Sequence, residues 1–231
     1  MPNRQTYRIG TGAGFSSDRL DPAIDLVKRG QLDAIVFECV GERTLAFGHR
    51  DRAKDSSRGY NALLEKRLRA LLALCHTNGT RLITNMGVAN PAAAAKIAHR
   101  IGQELGLNGL RIAAVTGDDV SALIHDYSKL SEPACTVGET GRSVIGANAY
   151  LGSDAIIMAL EEDAHVVITG RVADPSLFLA PIQHNFDWPA QDWSRLGAGT
   201  LVGHLMECAC LLYTSDAADD TPCVDLGGRR I

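Results

Sequence analysis

Short apolar runs alternate along the chain with segments that have the periodicity of helices. This alternation favours an α/β domain with a mainly parallel sheet. The predicted strands are TYRIGTG, LDAIVFECV, TRLITNM, RIAAVTG, SVIGANA and AHVVITG. Most of these runs are continuously apolar, which is typical of strands covered by helices on both faces. The pattern therefore predicts a Rossmann-like, doubly wound sheet.

The segments between these runs have the spacing of amphipathic or buried helices. The predicted helices are PAIDLVKRG, residues 60–75, PAAAAKIAHRIGQELG, VSALIHDYS, SDAIIMALEED, PSLFLAPIQHNF and TLVGHLMECA. The third is the clearest, because Asn90, Pro91 and Gly106 supply the cap, the first-turn proline and the C-terminal glycine. The stretch from Leu45 to Gly59 is the most polar part of the chain, and we interpret it as a solvated loop.

Three strand-to-helix joints have the same design: IGTGAGFSSDRLDP, ITNMGVANP and ITGRVADP. Each passes through a glycine-bearing loop to a proline, and Asp21, Asn90 and Asp174 are predicted to cap the helices that follow. In an open parallel sheet such joints meet at the carboxyl ends of the strands, where ligands bind. Helix N-termini at that edge favour an anionic group such as a phosphate, a pyrophosphate or a carboxylate.

The first joint, GTGAGFSS, resembles a dinucleotide-binding fingerprint with Ser17 in place of the third glycine. Glu38 follows the second strand, where a ribose-binding acid would stand. However, the next helix is predicted to begin only near Asp21, too late for the tight turn of that fingerprint. We therefore interpret Gly12, Gly14 and Glu38 as substrate-binding candidates, with nicotinamide binding as the alternative.

Polar residues also follow the fourth strand, in VTGDDV. Thr116 is a substrate-binding candidate, and the carboxylates of Asp118 and Asp119 are candidates for acid–base catalysis. A purely structural interpretation fits these two residues as well as a catalytic one: one aspartate caps the next helix and the other stabilises its first turn.

The remaining candidates lie at three other strand ends. Asn85, Asn148 and Tyr150 can donate hydrogen bonds to a carbonyl or thioester oxygen, so we assign Asn85 to binding and the other two to catalysis. Thr169 and Arg171 in ITGRVADPS are substrate-binding candidates, and an arginine at this position is a natural clamp for a carboxylate or phosphate. The alternative for Asn148 and Tyr150 is a turn asparagine and a half-buried tyrosine.

Composition narrows the classes of partner. The 231 residues carry a formal net charge of −4, so no basic field attracts nucleic acid or an anionic membrane surface.

No cysteine or histidine spacing typical of a metal site is present, so we predict no metal. His204 and Glu207, one helical turn apart, are interpreted as a surface pair or a proton-transfer pair. The N-terminal sequence lacks the apolar stretch of a signal peptide, and we expect a cytoplasmic protein.

Six segments in order, RIGTGAGFSSDR, ITNMGVANP, AVTGDD, ANAYLG, VVITGRVADPSLFLAP and LGAGTLVGHLMECA, resemble the acyclic terpene utilisation (AtuA-like) family from Tyr7 to Ala209. The resemblance implies a part in the breakdown of citronellol- and geraniol-type terpenes through coenzyme A thioesters. We therefore expect an enzyme that acts on an acyl-CoA or a branched carboxylate intermediate, with a lyase or hydrolase reaction favoured. The thioester is then a small anionic substrate rather than a cofactor.

Two other functions stay open. One is a nicotinamide-dependent oxidoreductase that uses the glycine-bearing loop. The other is a non-catalytic partner of a coenzyme A carboxylase complex. The sequence also leaves open whether the protein is a homo-oligomer.

The C-terminal stretch CLLYTSDAADDTPCVDLGGRRI departs from the family pattern. Its back-translation resembles the transposase adapter and the outer adapter arm of shotgun sequencing libraries, in one reading frame. We therefore expect residues 1–209 to be the N-terminal portion of an AtuA-like domain that is truncated at its C-terminus. Residues 210–231 are expected to be a non-native, adapter-derived tail.

Overall fold

The computed structural model describes residues 6–132 and 134–208. Within these ranges, five strands form one parallel sheet in the order β1-β2-β3-β5-β4. The strands are β1 (Ile9–Ala13), β2 (Ala34–Phe37), β3 (Arg81–Thr84), β4 (Ile112–Val115) and β5 (Val166–Thr169). The predicted Rossmann-like, doubly wound α/β fold is therefore confirmed.

Seven α-helices accompany the sheet in the described part of the chain. They are α1 (Asp21–Arg29), α2 (Glu42–Lys54), α3 (Leu64–Asn78), α4 (Pro91–Glu104), α5 (Asp154–Glu161), α6 (Ser176–Asn185) and α7 (Trp193–Cys208). Among the helices of these described ranges, none has both the length and the apolar character that crossing a membrane requires.

Both faces of the sheet are buried, which explains the continuously apolar strands. In β2, Ile35 and Phe37 pack in one core cluster with residues of α1, α3 and α4, whereas Ala34 and Val36 pack in a second cluster with residues of α5 and α6. Successive side chains of a strand point to opposite faces, so each strand contributes apolar residues to both clusters.

Helix α2 includes residues 45–54 of the stretch Leu45–Gly59 that was predicted to be a solvated loop, and residues 55–59 lie outside it. Its sequence, ERTLAFGHRDRAK, has no apolar stripe, and Gly48 and His49 are its buried residues. The Thr44 hydroxyl accepts a hydrogen bond from the Gly41 N–H at 2.8 Å and so caps the helix. At Gly48, a Cβ atom would lie 2.6 Å from Cγ1 of Val88, so a glycine permits the close approach of α2 to the loop after β3.

The predicted strand SVIGANA and the predicted helix VSALIHDYS are wrong. The first lacks strand structure apart from an isolated bridge between Asn148 and Asp119, because it lies against α2: a Cβ atom at Gly146 would lie 2.4 Å from the His49 ring. The second contains one 3₁₀ turn, Ser121–Leu123, and the side chain of Leu123 is 69% exposed. Without a buried apolar face, this stretch has nothing to hold a longer helix.

Of the three predicted caps, only Asn90 is confirmed. Its side chain accepts a hydrogen bond from the Ala93 N–H at 3.2 Å. Asp21 instead lies inside the first turn of α1 and pairs with Arg19, and Asp174 pairs with Arg171. In α1 a proline stands in the first turn, in α6 Pro175 itself is the N-cap, and neither helix has a side-chain cap.

Candidate functional site

A cavity of about 610 Å³ opens at the carboxyl edge of the sheet. Its walls are the loop after β1, the segment from Glu38 to Phe47, and the side chains of Tyr150, Arg171, Asp174 and Glu207. The volume falls within the range of about 300–1,000 Å³ that is typical of small-molecule sites. The predicted position of a ligand, beyond the ends of the parallel strands, thus coincides with a cavity.

Glu38, directly after β2, is a buried carboxyl on the wall of this cavity, with only 5% of its surface exposed. Its Oε1 atom accepts hydrogen bonds from Nδ2 of Asn85 at 2.8 Å and from the Val40 N–H at 2.9 Å. Burial raises the pKa of Glu38 to about 7 although these hydrogen bonds lower it, and the nearby charges of Asp174 and Glu207 raise it further. The carboxyl can therefore gain or lose a proton near neutral pH.

Glu38 is expected to make the stability of the protein depend on pH. Between its ordinary pKa of 4.5 and about 7, the folded chain keeps a proton that the unfolded chain has lost. The free energy of unfolding therefore falls as the pH rises through this range, by at most roughly 3 kcal/mol. Glu38→Gln removes this loss, so the variant should gain stability over the wild type as the pH rises from 4.5 to 7.

Urea unfolding at several pH values measures this difference. Glu161→Gln, which alters an exposed glutamate on α5, is the matched control and should follow the wild type. If Glu38→Gln and the wild type have the same dependence on pH, Glu38 does not titrate near neutrality.

Arg171, between β5 and α6, also lines this cavity and is almost fully buried, 3% exposed. Its Nη2 donates to Oδ1 of Asp174 at 2.7 Å, and its Nη1 donates to the carbonyl oxygen of Val40. The ring of Tyr150 covers the guanidinium, with 4.0 Å between Cζ and the ring centroid. Arg171 is thus fixed by the end of β2 on one side and by the start of α6 on the other.

Tyr150 also connects the cavity to α2. Its hydroxyl donates a hydrogen bond to Oε1 of Glu42 at 2.7 Å. This bond raises the pKa of Tyr150 and lowers that of Glu42. The tyrosine thus bridges the first turn of α2 and the guanidinium of Arg171.

Two further carboxyls were not predicted as site residues. Asp174 was interpreted as a cap and Glu207 as half of a pair with His204, yet both line the cavity. Burial raises the pKa of both, and the charge of Asp174 further raises the pKa of Glu207. The predicted pair of His204 and Glu207 exists, with 3.7 Å between Nδ1 and Oε2. The helical spacing therefore predicted this contact, but it did not predict that Glu207 lines a cavity.

Several predicted site residues form a second layer behind the wall. Oδ2 of Asp118 accepts hydrogen bonds from the Arg171 N–H and from Nδ2 of Asn148, both at 2.8 Å. Oδ1 of Asn148 lies 2.6 Å from Nε2 of His49, a buried residue that the sequence did not single out. Nδ2 of Asn85 likewise donates a hydrogen bond to the lining residue Glu38. The geometry places Asp118, Asn148 and Asn85 where they position lining residues, and their catalytic or binding roles stay predictions.

The other candidates lie away from the cavity wall. Asp119 forms an ion pair with Arg52 at 3.0 Å, and Thr116 is exposed to solvent. Thr169 is fully buried and donates to the carbonyl oxygen of Gly170 at 2.9 Å. The structure therefore brings Gly14, Glu38, Tyr150 and Arg171 together at the cavity, but not these three residues.

The backbone N–H groups of the glycine-bearing loop after β1 are already hydrogen-bonded to a side chain of the same loop. Oδ2 of Asp18 accepts hydrogen bonds from the N–H groups of Gly14 and Phe15, at 2.9 and 2.8 Å. These are the donors that would hold a phosphate in a dinucleotide site. At Gly12 a Cβ atom would lie 2.4 Å from Cζ of Phe37, so this glycine is required for packing between β1 and β2.

The fold and the cavity define an α/β protein with a buried carboxyl of raised pKa on the wall of a cavity at the carboxyl edge of its sheet. Within the described ranges, no group of three or more histidine, cysteine, aspartate or glutamate residues is arranged as a metal ion requires. Over residues 7–221 the sequence matches the model of the acyclic terpene utilisation family protein AtuA. The chain belongs to this family, which confirms the resemblance and implies a part in acyclic terpene utilisation.

No curated protein and no solved structure matches the chain. The family match extends to residue 221. The predicted boundary at Ala209 and the predicted adapter-derived tail lie outside the described residues, so both stay predictions.

Proposed function

We propose that the cavity is the active site of an enzyme of acyclic terpene utilisation. The enzyme acts by proton transfer on an acyl-CoA or branched carboxylate intermediate, as a lyase or a hydrolase. The observation that carries this proposal is the Glu38 carboxyl, which lines the cavity, is held by Asn85 and Val40, and has a pKa raised to about 7 by burial. Perturbed carboxyls in cavities are typical of acid–base catalysts.

A second carboxyl can complete the chemistry. In a lyase reaction, Glu38 removes the proton next to the carbonyl group, and Asp174 or Glu207 protonates the departing hydroxyl group, which leaves as water. Burial raises the pKa of both Asp174 and Glu207, which is the direction that a general acid requires. In a hydrolase reaction, Glu38 instead takes a proton from the attacking water.

Covalent catalysis by the neighbouring thiol has less support. Cys39 also lines the cavity, but it is 1% exposed, and burial raises its pKa to about 12. The nucleophile in such chemistry is the thiolate, which this environment disfavours at neutral pH. Proton transfer by carboxyls therefore accounts for the site better than an acyl–cysteine intermediate.

The nicotinamide alternative has lost its main support, because Asp18 takes the loop N–H groups that a pyrophosphate would need. A non-catalytic partner of a carboxylase complex does not explain why a carboxyl with a raised pKa is buried against a cavity. Neither alternative has a specific observation in its favour.

An activity assay tests the proposal. The purified protein is mixed with 3-methylbut-2-enoyl-CoA and its longer terpenoid homologues, and both enoyl absorbance and free thiol are followed. Loss of enoyl absorbance indicates a lyase, and release of thiol indicates a hydrolase. If no thioester or corresponding free acid binds or reacts, while NAD raises the melting temperature, the oxidoreductase function replaces the one proposed here.

A further inference from the structure

The two oxygens of the Glu38 carboxyl have different surroundings. Oε1 accepts two hydrogen bonds, from Nδ2 of Asn85 at 2.8 Å and from the Val40 N–H at 2.9 Å. Oε2 has no hydrogen-bond partner in the described part of the chain, and it is not among the buried side-chain atoms that are left unpaired there. Because Glu38 lines the cavity, Oε2 is the oxygen that faces the open space.

The orientation of the Asn85 amide is fixed from behind this carboxyl. Its Oδ1 accepts a hydrogen bond from the Cys39 N–H at 2.7 Å. A backbone N–H can only donate, so the oxygen of the amide faces Cys39 and its nitrogen faces Glu38. Asn85 is fully buried, so solvent does not compete for either contact. The backbone directly after β2 therefore ensures that Glu38 meets a donor here and not an acceptor.

These contacts decide which oxygen of Glu38 can carry the proton. A carboxylate oxygen has two acceptor positions, and N–H groups take both positions of Oε1. A proton on Oε1 would displace one of these donors and leave it buried without a partner, which costs free energy. The described residues place no donor on Oε2. The proton of the neutral carboxyl therefore lies on Oε2, at the cavity.

We propose that Glu38 exchanges its proton through Oε2 alone, and that Asn85 is the positioning residue that keeps this oxygen turned toward the cavity. The inference rests on the proposed function and narrows it, because the substrate atom that loses its proton then lies within hydrogen-bonding reach of Oε2. Asn85 is not on the cavity wall. It acts through the carboxyl, by making Oε1 the permanent acceptor.

Other charged or titratable groups surround Glu38, and a test has to leave them unchanged. Those that line the same cavity are Cys39, Glu42 and Arg43 of α2, Arg171 and Asp174 of the joint after β5, and Glu207 of α7. Behind the wall, Nη1 of Arg67 on α3 lies 3.1 Å from Sγ of Cys39. Asparagine is neutral, so its replacement by another neutral residue alters none of these charges. A changed titration of Glu38 then reports the lost hydrogen bond.

Asn85→Ala removes the side-chain donor to Oε1. This hydrogen bond favours the ionised carboxyl, so its loss should raise the pKa of Glu38 further, by about one pH unit. Glu38 acts as a base in its ionised form, so the rise of kcat/KM with pH should move to higher pH by the same amount. At pH 7, kcat/KM for the thioester that the wild type converts should fall at least about fivefold, since less of the carboxyl is ionised.

Asn61→Ala is the matched control. Asn61 is also a buried asparagine, and its Oδ1 accepts a hydrogen bond from the Leu63 N–H at 2.8 Å, but it does not line the cavity or contact Glu38. This variant should lose stability and keep the pH profile of the wild type. If Asn85→Ala behaves in the same way, with lower stability and an unchanged midpoint, Asn85 is a structural residue only and the inference is wrong.

A measurement on the wild type does not depend on whether a variant folds. Proton NMR follows the Val40 N–H and the side-chain N–H of Asn85 while Glu38 titrates. We expect both resonances to shift at the midpoint of Glu38, and both groups to stay protected from exchange with solvent below it, because the proton adds to Oε2. Exchange of either group below the midpoint, or the absence of any shift, overturns the assignment. If the wild type converts no thioester, the proposed function is wrong, and these resonances still decide which oxygen carries the proton.

Discussion

Glu38→Gln is expected to lower turnover by a factor of about 100 to 10,000, the usual contribution of a general acid or base. The amide has nearly the same shape as the carboxyl, and its oxygen can still accept the hydrogen bonds from Asn85 and Val40. It cannot take up a proton. The effect should therefore appear in kcat, measured with the thioester that the wild type converts, while KM changes little.

The dependence of kcat/KM on pH gives a second test of the role of Glu38. In the wild type, kcat/KM should change around pH 7, where Glu38 titrates, and the variant should lack this change. Glu42→Gln is the matched control, because Glu42 lines the same cavity but its pKa is lowered by Tyr150. Its loss of turnover should be less than about tenfold. Wild-type turnover in Glu38→Gln would remove Glu38 from the mechanism.

Arg171→Ala is expected to lower the free energy of unfolding by about 3–5 kcal/mol, the usual cost of breaking a buried ion pair from one side. The substitution leaves Asp174 and the carbonyl oxygen of Val40 without their donors and removes the surface on which Tyr150 packs. Urea unfolding of the two proteins measures the difference. A loss of ligand binding in this variant would therefore mix folding with recognition.

A matched control exists at the start of α7. Arg195 pairs with Asp192 at the same three-residue spacing, at 3.4 Å, but its side chain is 59% exposed. Exposed ion pairs contribute about 0–1 kcal/mol, so Arg195→Ala should cost no more than about 1 kcal/mol. If Arg171→Ala costs no more than Arg195→Ala, the buried pair does not hold this wall of the cavity together.

The sheet was predictable from the sequence because the signal for a buried strand lies within a few consecutive residues. Strands buried on both faces read as continuous apolar runs, and the runs that contain Ile35, Leu82 and Val167 all became strands. The run SVIGANA also contains apolar residues, but it lies against α2, since Gly146 fits onto the ring of His49. Which apolar run joins the sheet depends on a contact between distant residues, and a local pattern does not contain it.

Helix α2 could not be predicted because its evidence is not periodic. It buries Gly48 and His49, and it is anchored through His49 to Asn148 and through Glu42 to Tyr150. Helices held by polar contacts lack the apolar stripe on which sequence interpretation depends. Missing α2 also meant missing the helix turn that forms part of the cavity wall.

The candidate site was predictable where strand ends marked it. Glu38 and Arg171 follow strands directly, and both reached the cavity. Asp174 and Glu207 were misjudged because capping and helical spacing each offered a sufficient local explanation. Burial raises the pKa of both, and the charge of Asp174 raises that of Glu207 further, in an arrangement that only the folded chain creates.

The most direct test of the central claim is the titration of the Glu38 carboxyl in the folded wild-type protein. Carbon-13 NMR of protein labelled at glutamate side-chain carboxyls follows each resonance with pH, and Glu38→Gln identifies the Glu38 signal by its absence. We predict a midpoint at about 7. A midpoint near the ordinary 4.5 would contradict the assignment of this carboxyl as the proton-transfer group of the cavity.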